Sequence, residues 1–234
     1  MRRRNAPSSG VIDLCSARNS VGPIMVWSYN LTRCASTNIL ASIKGKRVKS
    51  PLILTALTCA LMHAGYVNAQ ATMTDLGTLG GTFSLAYGVS ADGLVIVGDA
   101  QDSSNVMSAY KYTTSGGMVS LGTLGGNSST ARGVSADGSV IVGAITDSSW
   151  NTSAFKYTTS GGMVSLGTLG GNYSAAYAAS ADGSVIVGSS SDGLSTKAFK
   201  YTASSGMMSL GTLAGGSSSE ANAVSADGSV IVGC

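Results

Sequence analysis

The chain has 234 residues, with 32 glycines, 3 prolines, 4 cysteines, 1 histidine and only 11% charged residues, a length that suits one or two domains able to bury a core. Its formal charge of +3 averages two unlike parts: residues 1–70 carry +8 and residues 71–234 carry −5, so the basic balance is not a nucleic-acid signal. His63, Cys15, Cys34 and Cys59 all precede residue 71, which leaves the remainder with Cys234 alone and excludes a Ser-His-Asp or Cys-His device, a zinc site of the usual ligands and an intrachain disulfide there.

In chain order, residues 1–43 read as an extension that is either unstructured or the product of an overlong start, with Met25 as the alternative first residue. Residues 44–71 have the three parts of a secretory signal peptide: a basic stretch from Lys44 to Ser50, an apolar run from Pro51 to Val67, and small residues that place cleavage after Ala69 or Ala71. The apolar run is 17 residues long and contains Thr55, Thr58, His63 and Gly65, short and polar for a bilayer span of about 20 apolar residues. The segment with Val26, Trp27, Ser28, Tyr29 and Asn30, followed by Lys44-Gly45-Lys46-Arg47, resembles the extended signal region of Gram-negative autotransporters.

Residues 72–234 are one unit copied three and a half times. Copies begin at Asp75, Ser120, Ser165 and Ser209 and run 45, 45, 44 and 26 residues, with Asp92, Asp137, Asp182 and Asp227 recurring every 45. Each copy predicts four short strands. A mixed strand such as Leu85–Val89 leads to an Asp-Gly turn, whose glycine tolerates the backbone of a twisted hairpin. The run Leu94–Val97 suits a strand covered on both faces. Tyr110-Lys111-Tyr112 and its copies at Phe155 and Phe199 alternate, with the lysines expected at solvent on strands near an edge. A Ser/Gly turn then precedes Met118–Leu121. From Ala71 onward 28 of 164 residues are glycine, each costing about 1 kcal/mol inside a helix, so helices are not expected. The expected fold is all-β: tandem repeats of about 45 residues, four antiparallel strands each, β-propeller-like and incomplete, with a β-helix or solenoid as the alternative. The fourth copy breaks off after its second strand, which reads as truncation; a four-bladed ring borrowing Asp75–Leu79 is the other possibility.

The unit resembles the HAF family of extracellular repeats. The resemblance is carried by LGTLGG (Leu76–Gly81, Leu121–Gly126, Leu166–Gly171), by SADGSVIVG (Ser135–Gly143, Ser180–Gly188, Ser225–Gly233) and by a small-aromatic pair before a tyrosine strand. Ser108, Ser153 and Lys197 stand where that family has its namesake histidine. The resemblance implies an exported bacterial protein and brings no established activity.

Among chemistry-bearing groups, the four turn aspartates form an aligned set that turn geometry explains without calcium, since a calcium site needs about six to eight converging oxygens. Asp99, Asp102 and Asp147, in oxygen-rich segments that vary between copies, are the better metal candidates, and Trp150 is an aromatic available for stacking on a sugar or peptide. The glycine-rich LGTLGG lacks the lysine and the helix of a phosphate loop. These features point to a non-enzymatic surface or secreted protein, located in the periplasm, at the cell surface or outside. It would bind an extracellular protein or glycan through the loops at 99–107, 144–152 and 189–196, without nucleic acid or cofactor. Membrane contact would come only through the leader or a missing C-terminal barrel. The alternatives are a glycan hydrolase or lyase working through carboxylates such as Asp99 and Asp102, and a gene fragment without function.

Overall fold

The computed structural model describes residues 25–28 and 72–234. The signal segment with its cleavage residues Ala69 and Ala71 lies outside them. The chain divides into two compact units, Ile24–Leu76 and a second containing Gly77–Cys234. In the first, β1 (Met25–Ser28) pairs antiparallel with β2 (Thr72–Asp75), Met25 opposite Asp75. β1 falls within the extension for which the sequence anticipates no structure or an overlong start.

The second unit is built from hairpins. Its strands are β3 (Gly80–Val89), β4 (Val95–Asp102), β5 (Met107–Thr113) and β6 (Gly117–Gly122) in the first repeat. The second repeat has β7 (Ser128–Val134), β8 (Val140–Thr146), β9 (Thr152–Thr158) and β10 (Gly162–Gly167). The third has β11 (Ser174–Ala179), β12 (Ile186–Ser191), β13 (Thr196–Thr202) and β14 (Gly206–Gly211), and the fourth has β15 (Ala221–Val224) and β16 (Ile231–Gly233). Each repeat is an antiparallel meander in sequence order, and no helix occurs among the described residues. Antiparallel sheets exclude the solenoid alternative, whose coils stack in parallel. The first strands β3, β7, β11 and β15 lie against one another in succession, whereas the last strands β6, β10 and β14 barely meet. The sheets therefore splay outward from a common axis, the arrangement of propeller blades.

Blade packing is driven by the run of apolar residues on each second strand. Val95 and Val97 pack on Ile141 and Phe155 of the next repeat, Val140 and Val142 on Ile186 and Phe199, and Val185 and Val187 on Ala221 and Ile231. Burying a valine stabilises by about 1.5–3 kcal/mol. Val230 and Val232, the same positions in the fourth repeat, are each 57% exposed. The third-strand lysines correct the expectation of a solvated face. Lys111, Lys156 and Lys200 are paired with Val97, Val142 and Val187, so they share the inter-repeat face, and they are half-buried.

Two polar devices hold neighbouring repeats in register. Strand pairing slips by one residue at Leu121, Leu166 and Leu210, a bulge steadied by the Ser120, Ser165 and Ser209 hydroxyls, which accept the N–H of Gly122, Gly167 and Gly211. Ala109, Ala154 and Ala198, next to these bulges, donate their N–H to a serine of the following repeat: Ser129 at 2.8 Å, Ser174 at 2.7 Å and Ser219 at 2.8 Å. Each serine hydroxyl in turn donates to the carbonyl of Gly122, Gly167 or Gly211. One hydroxyl thus satisfies two backbone groups of the preceding blade, and two of the three serines are fully or nearly fully buried, Ser129 and Ser174.

Second-strand glycines set the packing distance. A Cβ at Gly188 would collide with the Ala175 carbonyl oxygen of the adjacent strand, and Gly143 meets Thr130 in the same way while the Phe155 ring lies over it. Because the obstacle is backbone, no rotamer change relieves it. Two substitutions test this framework by urea unfolding. Ser174→Ala is expected to cost about 1–3 kcal/mol by orphaning a buried N–H. Gly188→Ala is expected to cost more than Ser174→Ala; a Gly188→Ala protein as stable as wild type would refute the close approach.

Candidate functional site

The first–second strand turns gather at one end of the axis. In each, a serine hydroxyl and an aspartate carboxylate close the loop together: Ser90 Oγ donates to Asp92 Oδ1 and accepts Val95 N–H at 3.0 Å, while Asp92 Oδ1 also accepts Leu94 N–H at 2.9 Å. The pattern recurs at Ser135–Asp137, Ser180–Asp182 and Ser225–Asp227. Only the glycines take positive φ: Gly93, Gly138, Gly183 and Gly228 lie between 67° and 74°. The Asp-Gly turn expected from sequence closes over Ser90–Gly93, with Gly93 N–H donating to Ser90 O at 2.9 Å, and Ser90 N–H donating to Val95 O completes the loop. Gly183 is required twice over, since its φ is +67° and a side chain there would run into Val140 of the preceding blade. The turns are also joined to one another: Ala91 N–H donates to Ala136 O at 3.0 Å, Ala136 to Ala181 O at 3.0 Å and Ala181 to Ala226 O at 2.9 Å. The turn carboxylates are thus committed to holding loops.

At the opposite end, Asp102 and Asp147 do similar work in the second–third strand loops. Asp102 Oδ1 accepts from Ser104 and Val106 N–H, and Asp147 Oδ1 from Ser149 and Asn151 N–H. Asp99 and Asp102 do not form a carboxylate pair, because three positions on one strand put their side chains on opposite faces. No group of three or more His, Cys, Asp or Glu side chains able to hold a metal occurs among the described residues. Trp150 is 77% exposed with φ +65°, where the equivalent loops place Asn105 (φ +64°) and Gly193 (φ +94°). Asparagine and glycine tolerate this region; tryptophan does so at a cost. A shallow groove of about 480 Å³ between Leu94–Val95 and Thr113–Ser115 repeats as one of about 400 Å³ at Ser139 and Thr158–Ser160. Neither groove is lined by a charged residue.

The residues best placed for recognition lie between these ends, on the axial strands. Pairing of first and second strands slips between Ala86 and Gly88, Ala131 and Gly133, Ala176 and Ala178, and Ala221 and Ala223. The extra residues are Tyr87, Arg132, Tyr177 and Asn222. A bulge re-aims its side chain and frees it from the alternation of the strand. Arg132 lies over the Tyr177 ring of the next repeat, 5.7 Å from its centroid, and is exposed. The Tyr177 hydroxyl meets Ser189 Oγ at 2.8 Å and the Tyr173 hydroxyl at 3.2 Å. Ser189 is the second-strand counterpart of Asp99, so that position underlies the bulge residue.

Asp99 is 7% exposed and accepts the Thr130 hydroxyl of the second repeat at 2.9 Å through Oδ2, while Oδ1 is buried without a hydrogen-bond partner. Burial pushes its carboxyl up, opposed by the Thr130 bond and the Arg132 charge. Burial and then the Asp99 charge raise Tyr87, and Tyr177 is pushed up to about 12, chiefly by burial. Of the residues singled out from sequence, only Asp99 joins this group. Tyr87, Arg132 and Tyr177 were overlooked, although their position reads Tyr, Arg, Tyr, Asn down the four copies beside nearly constant Gly or Ala neighbours.

These charges give opposite pH effects. Asp137, Asp182 and Asp227 are lowered to about 2 by serine hydroxyl and backbone N–H donors. A carboxylate depressed below its unfolded value contributes stability above about pH 4, and that stability is lost as pH falls toward the folded value. Asp99, raised, works the other way. The urea midpoint should therefore fall from pH 5 to pH 2, and Asp137→Asn should flatten that fall. Asp99→Asn should raise the midpoint at pH 7. Trp150→Asn should stabilise by about 0.5–1 kcal/mol by relieving backbone strain, checked by thermal melts; a destabilised variant would show that the ring packs within the chain.

The sequence matches no protein-family model and no curated protein. Solved structures match the fold. TolB from Acinetobacter baumannii aligns with a TM-score of 0.51 at 15% identity over 71% of this chain and 41% of its own. An Agrobacterium tumefaciens protein assigned as TolB aligns with a TM-score of 0.50 at 16% identity over 63% of this chain and 52% of its own. The chain thus spans about half the length of these two structures, and what it shares with them is the β-propeller fold.

Proposed function

We propose that this chain is an exported, non-enzymatic β-propeller that binds a protein or glycan in the periplasm, at the cell surface or outside, and that its contact residues are the axial row Tyr87, Asp99, Arg132 and Tyr177. Export is supported by the basic, apolar and small-residue succession of residues 44–71. The resemblance of the repeat to the HAF family supports the same destination, and an autotransporter-type passage outward remains part of the proposal.

The observation that carries the binding reading is the contrast between frame and row. Across the repeats the turn serines and aspartates, the second-strand valines and the latch serines keep their identity, while one bulged axial position changes from tyrosine to arginine to tyrosine to asparagine. A position serving only packing would repeat with the packing. The sequence-based emphasis on the loops gives way to the axial row because Asp102 and Asp147 are consumed by loop closure.

Two measurements test the proposal. N-terminal sequencing of the protein recovered from the periplasm or medium should begin at Gln70 or Thr72; an intact chain confined to the cytosol contradicts export. On glycan and peptide arrays, the triple variant Tyr87→Ala, Arg132→Ala, Tyr177→Ala should lose the binding that Trp150→Asn keeps. Binding lost with Trp150→Asn and kept by the triple variant would move the contact to the loops, and turnover of a bound glycan would contradict the non-enzymatic reading.

A further inference from the structure

The geometry points to a ligand class for the axial row: a sugar bearing a carboxylate, of the hexuronate type, its carboxylate on Arg132, its ring beside Tyr87 and a hydroxyl directed at Asp99. This inference rests on the axial row being the binding surface.

Arg132 is the starting point. It is exposed, 5.7 Å from the centroid of the Tyr177 ring, and no salt bridge reaches it among the described residues, Asp99 sensing it only through its charge. A ring face draws the guanidinium charge without using its N–H donors, which stay free to match the two oxygens of a carboxylate. Tyr177 itself is anchored, its hydroxyl held by Ser189 and Tyr173, so the platform under the guanidinium is preorganised.

Asp99 supplies the second, independent mark. Its side chain is more than nine-tenths buried and its Oδ1 lacks any donor, a condition that costs free energy until a donor arrives. Tyr87, the bulge residue of the strand paired with that of Asp99, is 39% exposed and close enough for the Asp99 charge to act on its hydroxyl. A sugar hydroxyl entering beside Tyr87 donates to that oxygen, and the C–H face of the same ring suits the tyrosine. Inorganic phosphate offers no such ring.

Charge narrows the choice further. Residues 71–234 carry −5, and Asp99 and Glu220 stand near the row, Glu220 acting on Tyr177. A densely charged polyanion meets repulsion here that one carboxylate per ring, placed against one guanidinium, escapes.

Calorimetric titration of the full chain at fixed ionic strength tests the inference with four probes: a galacturonate trimer, the neutral galactose trimer, inorganic phosphate and an N-acetylated diglutamate peptide. The galacturonate trimer should bind at least about 10-fold more tightly than the other three, and Arg132→Gln should lower its affinity by about 10-fold or more. Arg132→Lys, which keeps charge but not the planar fork, should recover part of that loss. Trp150→Asn should leave it unchanged. Equal binding of the neutral trimer, no effect of Arg132→Gln, or no binding of the galacturonate trimer overturns the ligand class. If the peptide or the neutral trimer binds and the axial triple variant abolishes it, the uronate inference falls while the axial row stands. If no probe depends on the row, both fall.

Discussion

The structure depends on a hydroxyl placed between blades. Ser129, Ser174 and Ser219 each receive an N–H from the third strand of the preceding repeat and return a hydrogen bond to the glycine carbonyl that ends its fourth strand. Valine and phenylalanine supply the driving force between blades, but apolar contact has no direction and would tolerate sliding. The serines remove that freedom, because a slip would leave buried amides and carbonyls without partners. The bulges at Leu121, Leu166 and Leu210 make the latch possible by turning the amides of Ala109, Ala154 and Ala198 away from their own sheet.

A second set of bulges, on the axial strands, uses the same backbone device to a different end. There the extra residue is released from the pairing, so its side-chain type changes between repeats while the paired residues on either side stay alanine or glycine. Tyr87, Arg132 and Tyr177 occupy positions whose neighbours Gly88, Gly133 and Ala178 must stay small, since Gly88 approaches the backbone of Gly133, and Gly133 that of Tyr177 and Ala178. Close packing of the frame and variability of the row are two consequences of one geometry.

Much of the fold was legible because it is written several times. Hairpin order, strand identity and the buried character of Val95–Val97 follow from alternation, apolar runs and turn residues repeated every 45 positions. The bulges were not legible. An inserted residue leaves no mark in a pattern whose copies all contain it, so the mixed strand through Tyr87 and its copy through Arg132 carried no sign of a break. The lysines misled for a related reason: Lys111 looks solvated by type, but its pairing with Val97 places it on the face between blades. Asp102 and Asp147 looked like ligands because oxygen-rich loops do, and only the backbone geometry shows their carboxylates already engaged.

Amide hydrogen exchange at the turn alanines is the most direct measurement of how the repeats are joined. Residues in short turns ordinarily exchange fast, yet Ala91, Ala136 and Ala181 donate to the carbonyl of the next turn along, while Ala226 has no acceptor among the described residues. Slow exchange at the first three with fast exchange at Ala226 is expected if the blades are stacked in register about one axis. Equally fast exchange at all four would mean that the turns do not meet, and that the axial row is not assembled.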